Sequence, residues 1–478
     1  MFAPPPFVRS LLVAGLLPLG LSAAPAPTAG PMQDEPPAPV ADGVADDTAA
    51  LQALIDAGGA VTLPAGPLRI TAPLVVDLTK TGRTSISGAG VARLVMAGPG
   101  PAVRVIGSHD GTADPASVSD RVWANENAPM LDGFEIVGAH PEADGVLAEG
   151  TMQLTLTRLV VRETRHAVRL TGRNRNVTVS DCHLYENRGV GLFLDGVNLH
   201  QIGLSNCHIS YNPGGGVVVR DSEVRNLQIA GCDIEANTGP ADGPDASDRG
   251  APANVWLDST NRSVAEVAIV GCTIQHGHDA ADSANVRIEG RAEPRPYDEG
   301  ERRVGNVLIA DNVLSDVRVN VELKGVRAAT VSGNTLWQGY DANLVAEDCT
   351  RLAIANNVLD RSPRYNYSDA AEATLGVRLE RCTDGTVTGN LSSGAALAEA
   401  AFVLRDCERL NVSGNTITDY GACGLLLDGV TNSLFTGNLI RDDRPDAAGQ
   451  PLQTTNLRGV TFAGNQFGDE SGGGEGER

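Results

Sequence analysis

Val177–Asn187 reads VTVSDCHLYEN, and Ile202–Asn212 reads IGLSNCHISYN. Both run apolar–polar alternation into a small or polar residue, then a Cys, then more alternation. LQIAGCDIEAN (Leu227–Asn237) repeats the pattern, and eight later segments keep it with Cys or Asn as the marker. The markers are Cys182, Cys207, Cys232, Cys272, Asn312, Asn334, Asn357, Asn390, Asn415, Asn438 and Asn465, mostly 22 to 27 residues apart and 33 or 40 where a loop intervenes. Alternation of period two is strand geometry, and a repeat of this length means a solenoid of stacked coils. The expected fold is all-β, a single-stranded right-handed parallel β-helix with an N-terminal capping helix.

A second strand follows each marker segment after a loop of variable length. It reads GVGLFLDG, GGVVVRDS, ANVWLDST, ANVRIEG and VNVELKG in successive coils. Period two turns Leu192/Leu194, Val217/Val219, Val255/Leu257, Val286/Ile288, Val321/Leu323, Val377/Leu379 and Leu425/Leu427 inward. Two rows should then face solvent. One holds Phe193, Val218, Trp256, Arg287, Glu322, Val345, Arg378, Val403 and Leu426. The other holds Asp195, Arg220, Asp258, Glu289, Lys324, Glu347, Glu380, Arg405 and Asp428. Rungs about 4.8 Å apart put neighbours in each row in contact. Arg220 would pair with Asp195 and Asp258, and Lys324 with Glu289 and Glu347. The Asn markers suit a tight bend, because Asn bonds backbone and tolerates positive φ. Stacked, they form an inward ladder.

The bulk composition fits a narrow column: 55 Gly and 4% aromatics in 478 residues. A formal charge of −22 excludes nucleic acid and anionic membranes as natural partners. Arg9 followed by the apolar run Leu11–Leu21 and small residues reads as a secretory signal over residues 1–24. That predicts no membrane span after its removal and an exported, periplasmic, extracellular or cell-surface location. A Pro/Ala-rich linker (25–40) leads to the solenoid (41–467), and a Gly/Glu-rich tail (468–478) ends the chain. The cysteines share repeat positions, Cys349, Cys382 and Cys407 forming a second set, so they read as small buried hydrophobes and free thiols. The expectation is a monomer.

With the repeats and the Asn ladder in place, Asp42–Ile70 (DGVADDTAALQALIDAGGAVTLPAGPLRI) adds the opening module of a known group. The chain resembles the pectate-lyase-like superfamily of right-handed parallel β-helices. Asp47 or Thr48 would cap a helix whose Leu51, Leu54 and Ile55 plug the column. The resemblance implies that the second strand of each coil floors a saccharide-binding cleft walled by loops, so the expected partner is a polysaccharide. There are four insertions, Thr238–Ala253, Gln275–Ala284, Gly290–Gly305 and Arg361–Leu375, and three of them surround the coils carrying Trp256, Arg287 and Glu322.

On that floor Asp258, Glu289, Glu322 and Lys324 are the candidate catalytic residues. Trp256, Arg287, His276, His278 and Arg378 are candidates for binding substrate. Two carboxyl groups with different pKa values suffice for glycoside hydrolysis. The same oxygens also make a set that suits Ca²⁺. A lyase needs a base and a cation to neutralise a uronate, for which Lys324 and Arg287 are the candidates. Acids beside Lys324 raise its pKa, the wrong direction for a base. The superfamily's sharper motifs are absent: no WIDH-type strand, no Asp-Pro-His-Glu, and no polygalacturonase set beyond Gly277-His278-Asp279 with Arg287-Ile288-Glu289. The functional expectation is a lyase or hydrolase of acidic glycans, with a non-catalytic carbohydrate-binding or structural solenoid as the alternative. Convergence of Asp258, Glu289 and Glu322 with His276, His278 and Asp279 would favour the enzyme. A separate outward row, His183, His208 and Asp233 with Tyr185, Ser210 and Glu235 beside it, is a candidate metal site.

Overall fold

The computed structural model describes residues 38–239, 253–290, 304–361 and 368–468. The expected signal segment and tail, most of the linker, and most of the Thr238–Ala253 and Gly290–Gly305 insertions lie outside the described residues. Every strand pairing is parallel and joins one coil to the next: Leu192 lies beside Val217, Val217 beside Val255, and Val255 beside Val286. Each central coil has three strands rather than the two traced from the sequence. One coil, for example, runs Val190–Asp195, Asn198–Ser205 and His208–Ser210. The turn at the marker divides what reads as one strand into a second and a third.

The inward pairs of the floor strands are fully buried, from Leu192 and Leu194 through Val286 and Ile288 to Leu425 and Leu427. They belong to one continuous core cluster running from Leu51 to Ile440. At the N-terminal end the helix Thr48–Asp56 buries Leu51 and Ile55. Leu54 does not join them; it is 37% exposed. Neither Asp47 nor Thr48 caps the helix through its side chain. The Asp47 carboxylate instead accepts the Val40 amide at 2.7 Å, and Thr48 Oγ1 accepts the Thr71 amide at 2.9 Å. Both side chains tie the incoming chain to the first coil.

The markers align in one file. The Cys182 amide reaches Cys207 Sγ, Cys207 reaches Cys232, and Cys232 reaches Cys272. The Cys272 amide then bonds Asn312 Oδ1 at 2.9 Å, and Asn side chains continue the file to Asn465. Each Asn amide also donates to a backbone carbonyl, as Asn357 does to Val331 at 3.0 Å. Positive φ falls on the residue before the marker, not on the marker: Asp181, Asn206, Asp311 and Asn356, with Gly at Gly333, Gly389 and Gly414. All eight cysteines are buried and unbridged.

A second ladder went unread in the sequence. Asn187, Asn212, Asn237, Asn254, Asn285, Asn320 and Asn343 bond in series at 2.7 to 3.0 Å along the turn before the floor strands. In the early coils the Asn sits in the turn, and Gly191 or Gly216 leaves room for it in the strand. A Cβ on Gly216 would meet Asn237 Nδ2 at 2.9 Å. Where an insertion opens the turn, the Asn moves into the strand itself, at Asn254 and Asn285.

Most of the first outward row is not solvent-facing; Arg378 is the exception. Phe193, Val218 and Trp256 form a small apolar cluster with Val190, Ala253 and Ala284. Val403 and Leu426 form another, and Arg287 and Glu322 are buried as well. The second row is half-buried, and its pairing differs from the expected scheme. Asp195 pairs with Arg169 at 2.5 Å, and Asp258 accepts from Thr260 in its own turn. Arg220 lies over the Trp256 ring at 4.8 Å, and Lys324 turns to Glu322 rather than Glu347.

Candidate functional site

Trp256, Arg287, Glu289, Glu322 and Lys324 form one network on the floor. Arg287 Nε donates to Glu322 Oε2 at 2.6 Å, and Lys324 Nζ reaches Glu322 Oε1 at 2.7 Å and Glu289 Oε1 at 4.0 Å. Glu289 Oε2 accepts from Trp256 Nε1 at 2.8 Å. These contacts follow from register, since Arg287 lies beside Glu322 and Glu289 beside Lys324 on adjacent rungs. Burial alone would raise the Glu322 pKa, but Arg287 and Lys324 hold it below the ordinary glutamate value. Burial works to lower the Lys324 pKa, and its bond to Glu322 overrides that and raises it. Trp256 is 7% exposed, with Arg220 over its ring, so the face expected to stack on a sugar is occupied. Arg378 lies farther along, between Val345 and Val403, with Glu380 3.7 Å away.

His276 and His278 belong to a different constellation, at the turn that leads into the floor strands. Two consecutive coils lack an insertion there, and their third and floor strands fuse into the long strands Val313–Lys324 and Thr335–Glu347. The looped coil carrying His276 and His278 flanks them on one side. The coil carrying Asp369 flanks them on the other. The result is a saddle under two loops. Its pairing register slips between Val317 and Val319, so that Arg318 faces both Tyr340 and Asp341. Such a bulge re-aims side chains. Arg318 lies 5.9 Å over the Tyr340 ring and 3.6 Å from Asp341.

His278 spans this saddle. Its Nδ1 is 2.7 Å from Asp316 Oδ1, its Nε2 is 2.9 Å from Asp369 Oδ2, and its ring stacks on Tyr340 at 4.4 Å. The Tyr340 hydroxyl donates to Asp369 at 3.0 Å. His276 Nδ1 meets Asp316 Oδ2 at 2.5 Å, and its Nε2 lies 3.8 Å from Glu235. Glu235 in turn is 3.9 Å from His208. A string of alternating imidazoles and carboxylates therefore runs along the flank from His208 to Asp369. The Asp316 bond raises the His276 pKa against the opposing effect of burial. Burial and then the Asp369 bond push the Tyr340 hydroxyl well up. Burial would raise Asp369, and bonds from Tyr340 and His278 hold it low.

Two sets of three donors lie within 4.8 Å of one another among the described residues: His208, Asp233 and Glu235, and His278, Asp279 and Asp369. The row read from the sequence thus contributes His208 and Asp233, with Glu235 as the third donor. His183 makes a ring contact with His208 at 5.8 Å instead. Asp316, Arg318, Tyr340 and Asp369 were not singled out in the sequence. Asp369 lies in an insertion that was noted, but its 91-residue separation from His278 leaves no local signal.

A family model described as a periplasmic copper-binding protein (NosD) matches residues 254–472, and one described as a right-handed β-helix region matches 144–291. No curated protein matches the chain. Among solved structures, tailspike protein 3 of bacteriophage CBA120 is similar at 12% identity and TM-score 0.48, over 91% of this chain and 58% of that one. The chain therefore spans little more than half of that tailspike. A mutant tailspike of the E. coli bacteriophage HK620, solved in complex with a pentasaccharide, aligns at 14% identity and TM-score 0.52, over 89% of this chain and 78% of that one. The A-module of a mannuronan C-5 epimerase from Azotobacter vinelandii aligns at 17% identity and TM-score 0.38, over 91% and 98%. Stacked parallel rungs, aligned markers and the match to the right-handed β-helix region together make the chain a right-handed parallel β-helix repeat protein.

Proposed function

We propose that this protein engages a polysaccharide along its flank, and that the saddle holding His276, His278, Asp316, Tyr340 and Asp369 is where it acts. One observation carries the reading. Residues 91 apart in sequence meet to place His278 between two carboxylates and against a tyrosine, over coils that carry no insertion of their own. Long loops converging on one stretch of a regular scaffold are where function concentrates. The glycan class rests on the β-helix fold, shared with a tailspike that binds a pentasaccharide.

The charge of the saddle refines the chemistry. Among the described residues, Glu235, Asp279, Asp316, Asp341 and Asp369 lie along this flank, with Arg318 beside Asp341 and Arg361 bonded to carbonyls of the Asp369 loop. A surplus of carboxylates disfavours a uronate and favours a neutral or amino-sugar glycan. On the floor, the raised Lys324 pKa and the lowered Glu322 pKa run against a lyase base and a hydrolase acid respectively. Export to the periplasm or beyond agrees with the apolar run Leu11–Leu21 and the periplasmic family description. Among the described residues no helix is long and apolar enough to cross a membrane.

The test is a panel of neutral, amino-sugar and uronate polysaccharides. New reducing ends mark hydrolysis, an unsaturated product absorbing in the ultraviolet marks elimination, and calorimetric binding without turnover marks a binding solenoid. H278A and D369N should abolish the signal, and wild-type behaviour in both variants would overturn the assignment.

A second reading is metal binding, favoured by the two three-donor sets and the copper-binding family description. Imidazole with carboxylate suits copper or zinc better than Ca²⁺, which prefers oxygen alone. The floor acids expected to suit Ca²⁺ are taken up by Arg287, Lys324, Trp256 and Thr260. Metal content of the purified protein, with Cu²⁺ and Ca²⁺ titrations of wild type and H278A, decides this reading.

A further inference from the structure

The third strands His208–Ser210, Asp233–Glu235 and Thr273–Gln275 stack on three consecutive coils, with His208 beside Asp233 and Ser210 beside Glu235. Ile209 and Ile234 are buried in the core, so alternation turns the residues on either side of them outward. His208, Asp233 and Glu235 thereby bring one imidazole and two carboxylates within 4.8 Å of one another. Elsewhere on the surface carboxylates meet arginine, as Asp132 does Arg158 and Asp144 does Arg165. Among the described residues neither Asp233 nor Glu235 pairs with Arg or Lys. The basic groups that Glu235 meets are imidazoles, His208 at 3.9 Å and His276 at 3.8 Å. Two half-buried carboxylates side by side repel each other unless a positive charge joins them.

The surroundings point to a cation as the missing member. Ser210 Oγ, beside Glu235, is fully buried and has no partner. Buried hydroxyls are nearly always satisfied, so an unmet one at this position marks a group still to be seated. Gln275 Nε2 donates to Glu235 Oε2 at 3.2 Å and steadies that carboxylate. His276 presents Nε2 to Glu235 while its Nδ1 bonds Asp316 at 2.5 Å. A carboxylate on the far nitrogen is the usual support of a metal-ligating imidazole. Among the described residues neither ring nitrogen of His208 has a hydrogen-bond partner, which leaves its lone pair free. The set of His278, Asp279 and Asp369 is poorer: Asp316 and Asp369 already take both nitrogens of His278, and the Asp279 side chain is 96% exposed.

We propose that His208, Asp233 and Glu235, with His276 as a fourth ligand, bind a divalent transition cation of the Zn²⁺ or Cu²⁺ class. This rests on the metal-binding reading above and chooses between its two donor sets. Imidazole nitrogen with carboxylate oxygen suits these ions, whereas Ca²⁺ and Mg²⁺ prefer oxygen alone. The cation neutralises the crowded carboxylates. Asp316 bonds both His276 and His278, so a cation on His276 also anchors the histidine pair of the saddle.

The experiment is calorimetric titration of the full chain, first dialysed against a chelator, with Zn²⁺ and Cu²⁺, Ca²⁺ and Mg²⁺ serving as comparators. Zn²⁺ or Cu²⁺ should bind with Kd below about 10 μM, and Ca²⁺ and Mg²⁺ about tenfold or more weaker. H208A and D233N should each weaken binding about 10- to 100-fold, while H278A leaves it unchanged. D233N carries the test if H208A fails to fold. In the Cu²⁺ form, nitrogen couplings in the electron paramagnetic resonance spectrum should diminish in H276A; a spectrum identical to wild type would strike His276 from the ligand set. Binding indifferent to both H208A and D233N would overturn the assignment. Loss in H278A instead would move the metal to the saddle and leave the metal-binding reading standing. Wild-type affinities all weaker than about 1 mM would remove both.

Discussion

Glu322→Gln tests whether the floor network is structural or chemical. Glu322 is buried between Arg287 Nε at 2.6 Å and Lys324 Nζ at 2.7 Å, and the Arg287 side chain is 8% exposed. Removing one partner of a buried ion pair costs about 3–5 kcal/mol, because the other charge stays buried. The Gln oxygen still accepts one bond from Arg287, returning about 1 kcal/mol. Lys324 is 40% exposed and swings to water at little cost. The net expectation is a loss of about 2–4 kcal/mol. Solenoid stability is a sum of nearest-neighbour terms, so the loss should be local. Hydrogen–deuterium exchange of peptides covering Ala284–Glu289 and Val319–Lys324 is the assay, with an expected acceleration of roughly 30- to 700-fold at 1.4 kcal/mol per decade. Glycan turnover should persist. Unchanged exchange with turnover abolished would refute the structural role and return Glu322 to the chemistry.

Acid should act through the same residue. Its folded pKa lies below the ordinary value of 4.5, so its contribution is present above that value and fades as pH falls through the folded pKa. The stability gap between wild type and Glu322→Gln should therefore be flat at neutral pH and close in acid; a gap that widened in acid would contradict the assignment. Asn357→Ala removes bonds to Asn334, Val331 and Asn390, and should cost about 2–4 kcal/mol by local exchange. Asn357→Cys should cost clearly less, because Cys207 and Cys232 fill the same ladder position and their sulfurs accept the amides of Cys182 and Cys207. Trp256→Phe should lose about 1–2 kcal/mol through its Glu289 bond and Arg220 contact, with glycan affinity unchanged in calorimetry. Tyr340→Phe should reduce turnover with a stability loss of only about 1 kcal/mol, so wild-type kinetics would remove Tyr340 from the site.

The sequence alone determined the column. Period-two alternation fixed which side chains point inward, and the marker spacing fixed that Cys182 through Asn465 share one position per coil. Both are properties of short windows, where backbone geometry alone assigns the facing. The second Asn ladder was harder to read because it changes strand position: Asn237 lies in a turn, and Asn254, its bonded neighbour, lies across an insertion. Facing also did not settle burial. Trp256 and Glu322 point away from the core, as their alternation requires, yet small lateral clusters and ion pairs cover them. Only the tertiary structure decided the saddle. Asp316 and His278 come together through stacking, Asp369 arrives from a loop 91 residues on, and Tyr340 is turned by a bulge one residue long. Such contacts depend on loop lengths summed over several coils, a quantity no local pattern of residues encodes.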